Sequence, residues 1–99
     1  MKYELEVGAL DQHIELAMHA IGMGNRKPYT RHGNRFYKPY RNYFATSPDS
    51  VHFKEWSSME QLGYAKSRAD GKYVLFWLTR SGLDWLGKQI GVHIYDEED

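Results

Sequence analysis

Ninety-nine residues at zero net charge, 41% hydrophobic and 26% charged with fifteen aromatics, suffice for one packed core and exclude a disordered chain. The absence of cysteine excludes disulfide staples, thiolate zinc sites and cysteine nucleophiles, and fits a reducing cytoplasm. No run approaches the roughly 18 apolar residues of a spanning helix, and Met1 to Val7 lacks the apolar stretch of a signal peptide, so a soluble cytoplasmic protein with no membrane partner is expected.

Tyr3, Leu5 and Val7 alternate with Lys2, Glu4 and Glu6, the two-residue period of a short N-terminal strand. Asp11 then serves as a helix cap. Ile14, Ala17, Met18 and Ile21 follow at three- and four-residue spacings, and Gly22 and Gly24 end the stripe. His13 and His19 lie six apart on that helix, about 120° from one another, which spoils a shared metal site.

From Asn25 to Asn34 the mixture of Pro28, Gly33 and two asparagines predicts a loop or a very short element. A helix is predicted to return at Pro39, with Tyr40, Tyr43 and Phe44 on one face. Ser47-Pro48-Asp49 repeats the start signal for a longer helix over 48–62. Its buried stripe is Phe53, Trp56, Met59 and Leu62, and Gly63 stands where a left-handed residue is wanted. Ala69-Asp70-Gly71-Lys72 between β-forming runs predicts a hairpin. Thr79 or Ser81 caps a last helix carrying Leu83, Trp85, Leu86 and Ile90, and Val92 to Tyr95 adds a short strand.

The neutral total hides an uneven distribution of charge. Arg26, Lys27, Arg31, Arg35, Lys38 and Arg41 place six positive charges in residues 24–46 with no acid among them, whereas 81–99 sums to −4. Tyr29, Phe36, Tyr37, Tyr40, Tyr43 and Phe44 are interleaved with those cations. Guanidinium and ammonium groups suit phosphates, and tyrosines suit unpaired bases. The competing reading has the aromatics closing a core under a long loop while the cations snorkel outside. A third has the block meeting the acidic tail, its own or a neighbour's in a homodimer. Lys66 and Arg68 alternate onto one side of the first hairpin strand, with Lys72 at its tip, which extends the basic face or merely protects an exposed edge.

Catalytic patterns are missing. Arg31-His32-Gly33-Asn34 has no paired carboxylate or second histidine at ligand spacing, the serines lack a nucleophile elbow, and neither glycine-containing loop cradles phosphate. No catalytic residue, cofactor or metal is expected. Trp56, Trp77 and Trp85 fall on apolar faces and are expected in the core.

The stretch from Trp56 to Ala65, the hairpin, and Leu78-Thr79-Arg80-Ser81-Gly82-Leu83-Asp84-Trp85-Leu86 resemble the end of many winged-helix domains. There a helix stops on leucine-glycine, a hairpin forms the wing, and a leucine-threonine-x-x-glycine turn opens the last helix. With its Arg-His-Gly and Tyr-Arg-Asn-Tyr-Phe segments the chain is also similar to small uncharacterised proteins of bacteriophages and prophages. The resemblance implies an α+β, winged-helix-like fold of about four helices, a C-terminal two-stranded β-hairpin wing and a short N-terminal strand. Residues 1–95 would form one domain and 96–99 an acidic tail. It also implies a winged helix-turn-helix DNA-binding or regulatory protein of phage type. Its recognition helix at 48–62, however, carries Asp49, Glu55 and Glu60 against Lys54 alone, a poor charge to present to phosphates. The expected function is therefore non-catalytic nucleic-acid binding, duplex DNA first, through Arg26, Lys27, Arg31, Arg35, Lys38, Arg41, Lys66, Arg68 and Lys72. The rival expectation is a protein-interaction module that engages a host or phage protein.

Overall fold

The computed structural model describes residues 2–24 and 26–96. Its first element is a helix, α1 (Lys2–Ala20), not a strand followed by a helix capped at Asp11. Three alternating residues are too few to outweigh a segment rich in Glu, Leu, Ala, Gln and Met, so Asp11 lies inside the helix. Gly22 at φ 80° turns the chain out of it.

The supposed loop contains a hairpin of β1 (Tyr29–Arg31) and β2 (Asn34–Tyr37). His32 and Gly33 both take positive φ, 52° and 79°, which is the requirement of a type I′ two-residue turn. The Arg-His-Gly-Asn sequence is thus a turn signal.

The helix expected after Pro39 is not formed. Residues 38–43 are irregular and lead into β3 (Phe44–Thr46). Proline opens helices, but it also biases Lys38 before it to extended backbone, and a partner 36 residues away decides the outcome. The Asn42 amide donates to the Leu78 carbonyl and accepts from the Leu78 N–H, both at 2.9 Å. The register of β3 on β5 (Tyr73–Leu78) puts Phe44 opposite Phe76. Asn42 therefore stands opposite Leu78 and supplies with its side chain the two bonds a strand would make with its backbone.

Helix α2 (Val51–Gln61) begins three residues after Pro48, with Ser50 accepting the His52 N–H at 3.1 Å. Ser47-Pro48-Asp49 is instead the turn that leads β3 into it, its Ser47 carbonyl accepting the Ser50 N–H at 3.0 Å. The stop at Gly63 is a Schellman motif: φ is 84°, the Gly63 N–H reaches Glu60 O, and the Tyr64 N–H reaches Met59 O. Trp56 and Met59 are buried, but Leu62 is exposed.

A hairpin does follow, of β4 (Ala65–Asp70) and β5, although its two-residue loop is Gly71-Lys72, one position later than the Asp-Gly signal implied. Gly71 alone takes positive φ there, as at the first position of a type II′ turn. The hairpin is no free wing. β5 is the centre of a three-stranded antiparallel sheet ordered β3-β5-β4. Helix α3 (Arg80–Ile90) is capped by Thr79, whose Oγ1 accepts the Gly82 N–H at 3.1 Å. The chain then returns as β6 (His93–Ile94), parallel to β2, completing a second sheet ordered β1-β2-β6.

The fold is therefore α+β, with three helices among the described residues interleaved with two three-stranded sheets. It is not a winged helix with a C-terminal hairpin. A helix-turn-helix needs a helix where β3 lies, and the chain continues past the hairpin into α3 and a strand of a second sheet. The core joins Ala17 and Ala20 of α1 and Ile21 just after it, Trp56 and Met59 of α2, Phe76 and Leu78 of β5, and Leu83 and Leu86 of α3. Tyr37 and Ile94 enter it from the second sheet. Each fully buried Leu or Ile there stabilises by roughly 1.5–3 kcal/mol. No described helix is long and apolar enough to cross a membrane. Residues 97–99 of the expected acidic tail lie outside the described residues.

Candidate nucleic-acid interface

The structure separates the nine cations into two kinds. Arg26 and Arg41 flank the Tyr40 ring, with guanidinium carbons 5.1 and 5.6 Å from its centre. Arg41 also donates to His19 O at 2.8 Å, setting its charge against the carbonyl end of α1. Tyr40 lies over Gly22, where a side chain would collide with the ring. Tyr37 is buried beside it, its hydroxyl donating to Ile21 O at 2.8 Å. Burial raises the Tyr37 pKa above its ordinary value, against the opposing pull of Arg26 and then Arg41. Arg26, Arg41, Tyr37 and Tyr40 thus fasten residues 37–41 to the end of α1.

Lys27, Arg31, Arg35, Lys38, Lys66, Arg68 and Lys72 are all exposed. Among the described residues the ion pairs are His13 with Glu55 and Arg80 with Asp84, so none of these seven is neutralised there. Within β1–β2, the pairing of Thr30 with Arg35 and Arg31 with Asn34 puts Arg31 and Arg35 on opposite faces. Arg31 shares its face with Tyr29 and Phe36. Tyr29, Phe36 and Tyr95 form a row of rings with centres 5.8 and 6.1 Å apart and planes within 27° and 19°, and His93 meets Tyr95 edge-on.

The sheet β3-β5-β4 carries the second group. Its inner face, with Phe44, Val74, Phe76 and Leu78, closes on α2, where Trp56 stacks on Phe76 at 5.5 Å. Among the described residues no helix packs on its outer face, where Leu75 and Trp77 are partly exposed. There Lys66 pairs with Trp77 and Arg68 with Leu75, so both cations do stand on one side of β4. Ala45 pairs with Leu75, and the same register carried one residue further sets Tyr43 opposite Trp77. The face thus consists of successive rows, Tyr43-Trp77-Lys66, Ala45-Leu75-Arg68 and Tyr73-Asp70. Tyr43 and Tyr73 are each 55% exposed. Beside Trp77 lies an open hollow of about 450 Å³, bounded also by Lys66, Thr79, Arg80 and Asp96. Arg80 ties this corner to the other sheet by donating to Ile94 O at 2.6 Å.

Trp77 corrects an expectation: Trp56 and Trp85 are buried, but Trp77 is half-buried on the solvent side of its sheet. The signal was the run Tyr73-Val-Leu-Phe-Trp-Leu78, apolar on both alternating faces when the molecule has helices for one of them. The six rings of the basic block divide as well. Tyr37 is core, Tyr40 covers the α1 terminus, Phe44 packs on Trp56 at 5.6 Å, Phe36 sits inside the ring row, and Tyr29 and Tyr43 are exposed. No protein family, curated protein or solved structure matches the chain.

The expected recognition helix is packed between other elements, with Trp56 and Met59 inward. Against α1 it forms a groove of about 470 Å³ containing Glu15, Leu16, His19, Phe44, Val51 and Glu55. Glu55 pairs there with His13 at 2.9 Å, which assigns that buried histidine to the helix–helix contact. Among the described residues no three His, Asp or Glu side chains are grouped to hold a metal.

Proposed function

We propose that this is a non-catalytic nucleic-acid-binding protein. The observation that carries the reading is the set of seven exposed cations without ion-pair partners among the described residues, of which Arg31, Lys66 and Arg68 share a sheet face with aromatic rings. Such cations gain by displacing the counterions of a phosphate backbone, a term that falls with salt by about 0.7 to 0.9 log units per phosphate contacted. Arg31, Arg35, Lys66 and Arg68 serve this role, and Lys27, Lys38 and Lys72 add to the field. Arg26 and Arg41 belong to the scaffold.

Replacing Arg31, Arg35, Lys66 and Arg68 together by alanine is expected to weaken DNA and RNA binding and to lower the log K against log salt slope by about three. Fluorescence anisotropy across a salt series measures this, with circular dichroism confirming an unchanged fold. Identical slopes for the two proteins would sink the reading.

A second reading is a protein-interaction module, favoured by the α1–α2 groove. Its Glu15 and Glu55 carboxylates rim an apolar floor of Leu16 and Phe44, and Val51 beside them is 66% exposed. That acidic face suits a basic, apolar protein segment. Failure of the protein to bind single strands, duplex DNA and RNA alike would favour it.

A further inference from the structure

We propose that the outer face of the β3-β5-β4 sheet, with the hollow beside Trp77, seats the unpaired bases of a single-stranded nucleic acid. The inference rests on the nucleic-acid reading above and narrows it from phosphate binding to base stacking.

The rings of this face reach solvent and stand without a stacked aromatic neighbour. Phe44, Phe53, Trp56, Phe76, Tyr64 and Trp85 each pack against another aromatic ring within the fold. Among the described residues Tyr43, Tyr73 and Trp77 have no such ring contact. An exposed ring face costs hydration free energy unless something flat covers it. A duplex keeps its base faces stacked inside and offers a protein its phosphates and groove edges. A single strand offers the faces themselves, and stacking one base on an aromatic side chain contributes about 1–3 kcal/mol.

Placement agrees with this chemistry. Tyr73, Leu75 and Trp77 follow one another along β5 at two-residue steps of roughly 6.6 Å, giving a track with small Ala45 beside it. Lys66 and Arg68 repeat the same step along β4, one strand away. A strand laid along the sheet sets bases against the Tyr43, Tyr73 and Trp77 rings and phosphates against the β4 edge. At the Trp77 end the 450 Å³ hollow has room for one base, with Lys66, Arg80 and Asp96 as polar groups around it. Among the described residues Asp70 and Asp96 are the acids on this face, so binding is expected to be moderate and to depend on stacking as well as charge.

Trp77 supplies the readout, because Trp56 is fully buried and Trp85 nearly so. The full chain is titrated at about physiological salt with oligo(dT) and oligo(rU) of about twelve nucleotides and with a duplex of similar length. The expected result is quenching of tryptophan emission by the single strands, lost in Trp77→Phe while binding persists. Trp77→Ala and Tyr43→Ala are each expected to weaken single-strand binding about 5- to 100-fold and to leave duplex binding unchanged. The tighter of the two oligonucleotides identifies DNA or RNA as the source. Duplex binding at least as tight as single-strand binding, or single-strand affinity indifferent to Trp77→Ala, overturns this inference and leaves the phosphate reading standing. Binding of none of the three overturns both.

Discussion

Replacing Gly82 by alanine is expected to destabilise the fold by about 3 kcal/mol or more, seen as a fall in Tm above roughly 12 °C for a chain of this size. Helix propensity alone predicts the opposite sign, since alanine in place of glycine inside a helix normally gains up to about 1 kcal/mol. The difference lies in what crosses the start of α3. A Cβ on Gly82 would fall on the backbone oxygen of Tyr64. That oxygen accepts the Thr79 N–H at 3.1 Å, and Thr79 Oγ1 donates to Gly63 O at 2.7 Å. Retreat of Tyr64 would also part its ring from Trp85, stacked 4.9 Å away. The leucine-glycine stop of α2 and the threonine-x-x-glycine start of α3 are thus two halves of one joint. Thermal unfolding of Gly82→Ala beside Ser81→Ala, which shares the helix and lacks the contact, gives the test. Equal stability of the two variants would refute the joint.

Asn42→Ala is expected to cost about 2–4 kcal/mol. Leu78 is buried, and losing the amide leaves both its N–H and its C=O without the partner that pairs them, at roughly 1–2 kcal/mol each in a partly buried setting. Asn42→Asp separates the two bonds. The carboxylate still accepts from the Leu78 N–H, but it cannot donate and faces the carbonyl, so the variant is expected to be weak at neutral pH. Protonation restores a donor. The carboxyl pKa is then higher in the folded state than in the unfolded, and stability should rise as pH falls through the folded value. Urea unfolding of the wild type, Asn42→Ala and Asn42→Asp at two pH values measures both effects. Recovery at low pH by Asn42→Asp but not Asn42→Ala is the expected pattern; its absence would show that Asn42 does not stand in for a strand residue.

These two residues also mark how far local signals reached. Gly63, Thr79 and the residues around Gly71 act on their own backbones within four or five positions, and α2, the β4–β5 hairpin and α3 formed where those signals stood, within one to three residues. Pro39, Tyr40, Tyr43 and Phe44 carried an equally orderly helix signal and became an irregular segment and a strand. Their alternative was an edge of β5 supplied from 36 residues away. Residues 25–34 read as a loop or a very short element because the strands that begin there have only three or four residues each, too few for a period to show. Tyr3, Leu5 and Val7 failed in the opposite direction, a short period absorbed into a 19-residue helix.

The positive segment, the lack of thiol chemistry and the alternation that places Lys66 beside Arg68 followed from the sequence by itself, because charge counts and strand periodicity do not depend on distant partners. Which rings face water did not. Alternation divides Tyr73, Leu75 and Trp77 from Val74, Phe76 and Leu78, but both sets are apolar, and only the docking of α2 against one of them made Phe76 core and Trp77 surface. Tertiary packing likewise set Arg26 and Arg41 around Tyr40 at the end of α1, a placement that charge counting does not reveal. Burial is a property of pairs of elements, and the choice of pair is where local information ends.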